Sequence, residues 1–155
     1  MIGNPRVFFR QSKYIYYPDR HVDMTPRDEG MAFEDLKIRT DDGETIAAWF
    51  VPASTNIPHA LTLIDCHGNA GDIGDRVTSV HTFHNLGLNV LIFDYRGYGA
   101  STGKTTEQGT YLDALAAWNY LVRIRNVPTN EIILFGRSLG GSVVAWLATK
   151  VNAPA

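Results

Sequence analysis

Cysteine is nearly absent from this 155-residue chain. Cys66 stands alone, so no internal disulfide framework can form, and the composition fits a reducing compartment such as the cytoplasm. An excess of charge is missing too. Fourteen basic against 16 acidic side chains leave a net charge of −2, which removes the electrostatic footprint expected of a nucleic-acid or anionic-membrane binder. No run approaches the roughly 20 apolar residues of a membrane span. The N-terminus, with Arg6 and Arg10 around Val7-Phe8-Phe9, lacks the apolar core of a signal peptide, so any anchor would have to have been removed from it. Repeats, low-complexity tracts and linkers are absent as well. With 45% hydrophobic and 19% charged residues, the sequence reads as one globular domain over 1–155 with enough apolar material for a core.

Two further absences narrow the chemistry. The histidines His21, His59, His67, His81 and His84 never pair with a cysteine or carboxylate at a zinc-like spacing, so no metal is expected. Gly99-Ala100-Ser101-Thr102-Gly103-Lys104-Thr105 resembles a phosphate loop but has Tyr98 where that pattern needs glycine. No cofactor is expected either.

What is present is an ordered alternation of elements. Residues 1–30, punctuated by Pro5, Pro18 and Pro26 and carrying Tyr14-Ile15-Tyr16-Tyr17, read as a lead-in lying over the core. Phe33–Arg39 and Thr45–Val51 flank Asp42-Gly43, a hairpin signal. Three short apolar runs follow, Ala60–Cys66, Asn89–Asp94 and Glu131–Phe135, as expected of parallel strands buried on both faces. Between and after them the spacing predicts helices. Ile73–Leu86 puts Ile73, Val77, Val80 and Phe83 on one face, and Glu107–Arg125 does so with Tyr111, Leu115, Trp118 and Val122, opening on a capping box at Thr105 and Gln108. A third helix runs over Leu139–Lys150. A hairpin followed by strand–helix units gives an α/β fold with helices on both faces of the sheet. The parallel strands then end at one edge, where the loops Cys66–Asp72, Asp94–Thr105 and Gly136–Gly141 should gather the chemistry.

Gly136-Arg137-Ser138-Leu139-Gly140-Gly141 leads straight from an apolar strand into an apolar helix, the nucleophile-elbow pattern. A serine on such a turn exposes Oγ, and glycines on either side let strand and helix approach where a Cβ would clash. The loop His67-Gly68-Asn69-Ala70-Gly71 follows the strand Ala60–Cys66 and reads as an oxyanion loop, because acyl transfer builds negative charge on a carbonyl oxygen that preorganised N–H groups stabilise. The Leu139 amide supplies one donor and the Asn69 amide the other, with the Ala70 amide as the alternative. Asp94 reads as a structural carboxylate bonded to the amides of its own turn, and Cys66 as a buried small hydrophobe.

Together these motifs resemble the α/β-hydrolase superfamily, and within it the serine hydrolases of the Bem46, ABHD13 and ABHD17 group. The resemblance rests on Tyr14-Ile15-Tyr16-Tyr17-Pro18, Asp42-Gly43, His67-Gly68-Asn69-Ala70-Gly71, Asp94-Tyr95-Arg96-Gly97-Tyr98-Gly99 and Gly136-Arg137-Ser138-Leu139-Gly140-Gly141, in that order along the chain. It implies that Ser138 is the nucleophile and that His67 supports the oxyanion loop instead of acting as a base. In the family the acid and base of the triad follow the serine, yet the 17 residues after Ser138 hold no His, Asp or Glu. The expectation is therefore a truncated α/β-hydrolase fold. Two functions fit it: a serine hydrolase acting on a small-molecule or lipid-like ester with acid and base supplied from elsewhere, or a non-catalytic interaction and assembly module. In the family's strand order Glu131–Phe135 is left as an open edge, so self-association there, or pairing with a missing C-terminal half, is also expected.

Overall fold

The computed structural model describes residues 14–54 and 57–151. Seven strands are β1 Tyr17–Pro18, β2 Glu34–Arg39, β3 Thr45–Val51, β4 Thr62–Cys66, β5 Ala70–Gly71, β6 Asn89–Phe93 and β7 Ile132–Gly136. Among the described residues the longer α-helices are α1 Val77–Asn85, α2 Glu107–Asn119 and α3 Leu139–Ala148. Five strands form one sheet in the order β2-β3-β6-β4-β7. Its first three strands are antiparallel neighbours, and β6, β4 and β7 run parallel. Each expected strand is found within two residues of its expected ends.

The hairpin closes as its sequence suggests. Gly43, at φ +95°, takes the left-handed position, and the Thr40 amide donates to the Glu44 carbonyl at 2.9 Å. Helices cover both faces of the sheet. On one face α1 and the turn Pro26–Glu29 pack over Trp49, Val51, Leu63, Val90 and Ile92; on the other α2 and α3 pack over Ala48, Phe50, Ile64, Leu91 and Phe93. Strands β4 and β6 contribute to both clusters because successive side chains point to opposite faces and both faces are dry. Each buried Leu, Ile or Phe there contributes about 1.5–3 kcal/mol of apolar transfer.

Helix α2 departs from expectation in two ways. Its cap is Thr106, whose Oγ1 accepts from the Gly109 amide at 3.0 Å, while the Thr105 hydroxyl donates to the Arg96 carbonyl at 2.8 Å. Its buried residues include Thr110, Asp113, Ala114, Ala117 and the expected Trp118; Tyr111 and Leu115 are only half-buried, and Tyr111 stacks on Trp146 of α3 at 4.8 Å. The small Ala114 and Ala117 let the helix axis come close to the sheet. The larger side chains fill the seam with α3 instead. Beyond Asn119 the helix widens into a π turn, Tyr120–Ile124.

Asp113 has a further partner. Arg96 donates to it through Nε, Nη2 and its own amide at 3.0, 2.9 and 2.8 Å, and to Asp42 through Nη1 and Nη2 at 2.6 and 3.0 Å. The guanidinium holds the Asp42 carboxyl down to about 2. One buried cation thus ties the hairpin turn, the loop after β6 and α2 together.

The lead-in does not simply lie over the core. Residues 1–13 are outside the described part, but Tyr17–Pro18 pair in parallel with Ala70–Gly71, so this segment crosses the C-terminal edge of the parallel strands. Among the described strands, β7 closes the sheet at one end and β2 at the other.

Candidate active site

The turn from β7 into α3 is tight, and the cause is local. A Cβ on Gly136 would stand 2.2 Å from the Gly140 carbonyl oxygen, and one on Gly140 would stand 1.7 Å from the Cys66 carbonyl oxygen. Only hydrogen at both positions lets α3 begin directly against β4 and β7. Between them Ser138 takes φ +54° and ψ −117°, a combination outside the allowed basins of an ordinary L-residue. The side of the turn bearing Ser138 is exposed. The Gly140 amide donates to the Arg137 carbonyl and the Gly141 amide to the Ser138 carbonyl, both at 2.9 Å. Leu139, the first residue of the helix, has an amide with no intrahelical acceptor and the positive end of the helix dipole behind it.

The loop after β4 lies directly alongside. Cys66 is in register with Gly136, and the Arg137 amide donates to the Cys66 carbonyl at 3.2 Å, so the ladder continues into the loops. A Cβ on Gly68 would lie 3.7 Å from the Arg137 carbonyl oxygen and 3.9 Å from Ser138 Cβ. The structure thus brings the start of the loop after β4, at Gly68, against the turn that carries Ser138.

His67 is walled in. Its side chain is fully buried, Nδ1 donates to the Gly68 carbonyl at 2.7 Å, and Nε2 faces Asp94 Oδ1 at 3.4 Å. The ring packs on Tyr95 and Tyr98 with centroids at 4.6 and 5.4 Å. Nδ1 is engaged by its own loop, and Nε2, although it makes no hydrogen bond, is sealed in against Asp94 away from the surface, so neither nitrogen faces a substrate. Asp94 corrects the sequence reading: its Oδ1 accepts from the Ile73 amide, ahead of α1, and not from its own turn. Burial, partly offset by His67, pushes its carboxyl up.

Sequence reasoning passed over two tyrosines that fasten this loop. Tyr95 donates its hydroxyl to the His67 carbonyl at 2.9 Å and Tyr98 to the Asn69 carbonyl at 2.8 Å. Both rings are buried. Their signal was aromatic residues inside a glycine-rich turn, where solvent-facing residues are the usual choice. Cys66 is buried as expected, and burial pushes its thiol up, away from the thiolate a nucleophile needs.

Among the described residues no histidine or carboxylate pairs with Ser138. His21 lies against Asp23, His59 against Glu131, His81 against Glu29, and His84 bonds to the Pro52 carbonyl. Among the same residues no cluster of three or more His, Cys, Asp or Glu is arranged to hold a metal ion, and no helix is long and apolar enough to cross a membrane. A groove of about 550 Å³ lined by Pro52, Ile57, His59, Asn89, Arg125 and Glu131 opens at the opposite edge of the sheet, remote from the serine.

A mixed sheet of this order, with a glycine-flanked serine on the strand-to-helix turn and a His-Gly loop beside it, defines an α/β-hydrolase. Comparison with known proteins agrees. Residues 58–154 match the Hydrolase_4 family, described as serine aminopeptidase, S33, and the chain belongs to that family. It is 32% identical over 149 residues to the protein bem46 of Schizosaccharomyces pombe, covering 92% of this chain and 50% of that protein. It is 36% identical over 148 residues to the α/β-hydrolase domain-containing protein WAV2 of Arabidopsis thaliana, covering 92% and 47%. An esterase from Pyrococcus furiosus superposes with a TM-score of 0.75 at 26% identity, over 89% of this chain and 52% of that one. An α/β-hydrolase from Vibrio vulnificus shares the fold, with a TM-score of 0.74 at 21% identity over 97% and 55%. The chain spans about half the length of the relatives it matches.

Proposed function

We propose that this chain carries the nucleophile and the oxyanion hole of a serine esterase acting on small-molecule or lipid-like carboxylic esters. The observation that carries the reading is Ser138 itself, exposed, on a strained turn at the start of α3, with the loop of Gly68 in contact with that turn. The esterase activity named for the Pyrococcus furiosus neighbour supports the reaction class.

In this reading Ser138 Oγ attacks the ester carbonyl carbon while a base takes its proton. The carbonyl oxygen becomes an oxyanion held by the Leu139 and Asn69 amides, each donor lowering the barrier by about 2.7–4 kcal/mol. The alcohol leaves with a proton, and water hydrolyses the acyl-enzyme. His67, buried against Asp94, holds the loop. In this reading the triad acid and base are supplied by groups other than the described residues.

Fluorophosphonate labelling of the full-length protein, with peptide mapping, tests the assignment. Stoichiometric modification of Ser138, lost in Ser138→Ala, is the expected result. Undiminished labelling of the alanine variant refutes it. Absence of labelling in the full-length parent favours the non-catalytic assembly module. The 155-residue chain alone should react slowly, since an oxyanion hole without a base keeps only residual catalysis.

A further inference from the structure

Asn69 is held from three directions. Its carbonyl accepts from the Tyr17 amide at 2.9 Å and from the Tyr98 hydroxyl at 2.8 Å, and its Nδ2 donates to the Ile15 carbonyl at 2.7 Å. Its amide takes part in no hydrogen bond among the described residues. Two residues on, the Gly71 carbonyl accepts from the Asp19 amide at 3.1 Å. The far end of the lead-in is fastened as well. Asp19 accepts from the Gly99 amide at 2.7 Å, and Arg20 donates to the Ser101 and Gly103 carbonyls at 3.2 and 3.3 Å. Residues 15–20 are thus stretched across the catalytic edge between the loop after β4 and the loop after β6.

Only Tyr16 of this segment packs against the core, and it is half-buried. Tyr17 is 55% exposed, and Pro18, Asp19 and Arg20 are exposed beside it. Beyond Tyr16 it is polar contacts that hold it in place, and those that reach distant residues end on the loop after β4 and the loop after β6. A loop with glycine at 68 and 71 would otherwise lose backbone freedom each time it ordered around a substrate. An amide aimed at an oxyanion also works only within a narrow range of position.

We propose that Ile15–Arg20 is a strap, latched by the Asn69 side chain, that aims the Asn69 amide at the reacting carbonyl oxygen, and that the Tyr98 hydroxyl holds the same residue from the loop after β6. The inference rests on reading the His67–Gly71 loop as the oxyanion loop. Asn69, through its side chain, and Tyr98 are then positioning residues. Neither side chain touches the substrate.

Two variants separate these contacts from the fold. Asn69→Ala keeps the candidate amide and loses the bond to Ile15; Tyr98→Phe keeps the ring on His67 and loses the bond to Asn69. Amide hydrogen exchange is measured in the full-length protein, together with kcat and KM for a p-nitrophenyl ester. The expected result is exchange at residues 69–71 at least about 10-fold faster, with β4, β6 and the melting temperature unchanged. In the same variants kcat falls about 10- to 100-fold at constant KM. Unchanged exchange in both variants overturns the strap. So does faster exchange with an unchanged kcat in an enzyme that labels at Ser138. If the parent shows no Ser138-dependent activity, the esterase reading alone fails, and exchange decides whether the strap orders the loop.

Discussion

Replacing Gly140 by alanine should destabilise the fold, while the same change at its neighbour Gly141 should not. The Cβ added at Gly140 would meet the Cys66 carbonyl oxygen at 1.7 Å, the Cys66 carbonyl carbon at 2.6 Å and the His67 carbonyl oxygen at 2.8 Å. All three obstacles are backbone, so no rotamer change relieves them; α3 must move off β4. Overpacking of this kind costs about 3 kcal/mol. Alanine is favoured over glycine in a helix by about 1 kcal/mol, which leaves a net loss of about 2 kcal/mol. At Gly141 the added Cβ would lie 3.9 Å from the Gly136 carbonyl oxygen, an ordinary contact, so only the helix preference remains. Urea denaturation and thermal melts decide the matter. Gly140→Ala should lower Tm by about 4–8 °C, and Gly141→Ala should leave it unchanged or raise it slightly. A Gly140→Ala protein as stable as the parent, or a Gly141→Ala protein that loses more, would refute the packing argument for the turn.

Burial pushes the Asp65 carboxyl up to about 6, so the folded state binds that proton more tightly than the unfolded chain and stability declines as pH rises from about 4 through 6. Asp65→Asn should therefore raise stability near neutral pH by about 2–3 kcal/mol and flatten that decline in urea melts; an unchanged pH profile would show that Asp65 is solvated. Asn69→Pro removes the proposed second donor and should lower any Ser138-dependent esterase kcat by about 10²–10³-fold; a folded variant with unchanged kcat would move the donor elsewhere, to Ala70 first. The 155-residue chain, with β7 open at the end of its sheet and Leu134 and Phe135 only half-buried, should self-associate at micromolar concentration in light scattering; a monomer would show that β7 does not act as a pairing edge.

The strands and the serine turn were legible because each has a short-range cause. Ile132-Ile133-Leu134-Phe135 is apolar on both faces, and Gly136 and Gly140 flank a serine at fixed offsets. What escaped the sequence depends on contacts between distant segments. The face of α2 was legible only in part: Trp118 is buried and Tyr111, Leu115 and Val122 pack half-buried on the same core, but close approach to the sheet selects Ala114 and Ala117, which hydrophobic spacing does not mark. Asp113 and Arg96 are 17 residues apart, and nothing in their spacing announces an ion pair. The pairing of Tyr17 with the loop at Asn69 is likewise long-range, a two-residue ladder with no periodicity to betray it.

Ser138 sits at a backbone conformation that glycine would adopt far more readily. Strain of this sort costs about 1–3 kcal/mol. A search for stabilising substitutions in this protein should therefore converge on Ser138→Gly, the one change that relaxes the turn and discards the hydroxyl it presents. In the proposed esterase, stability and the reactive hydroxyl would pull against each other at this single residue.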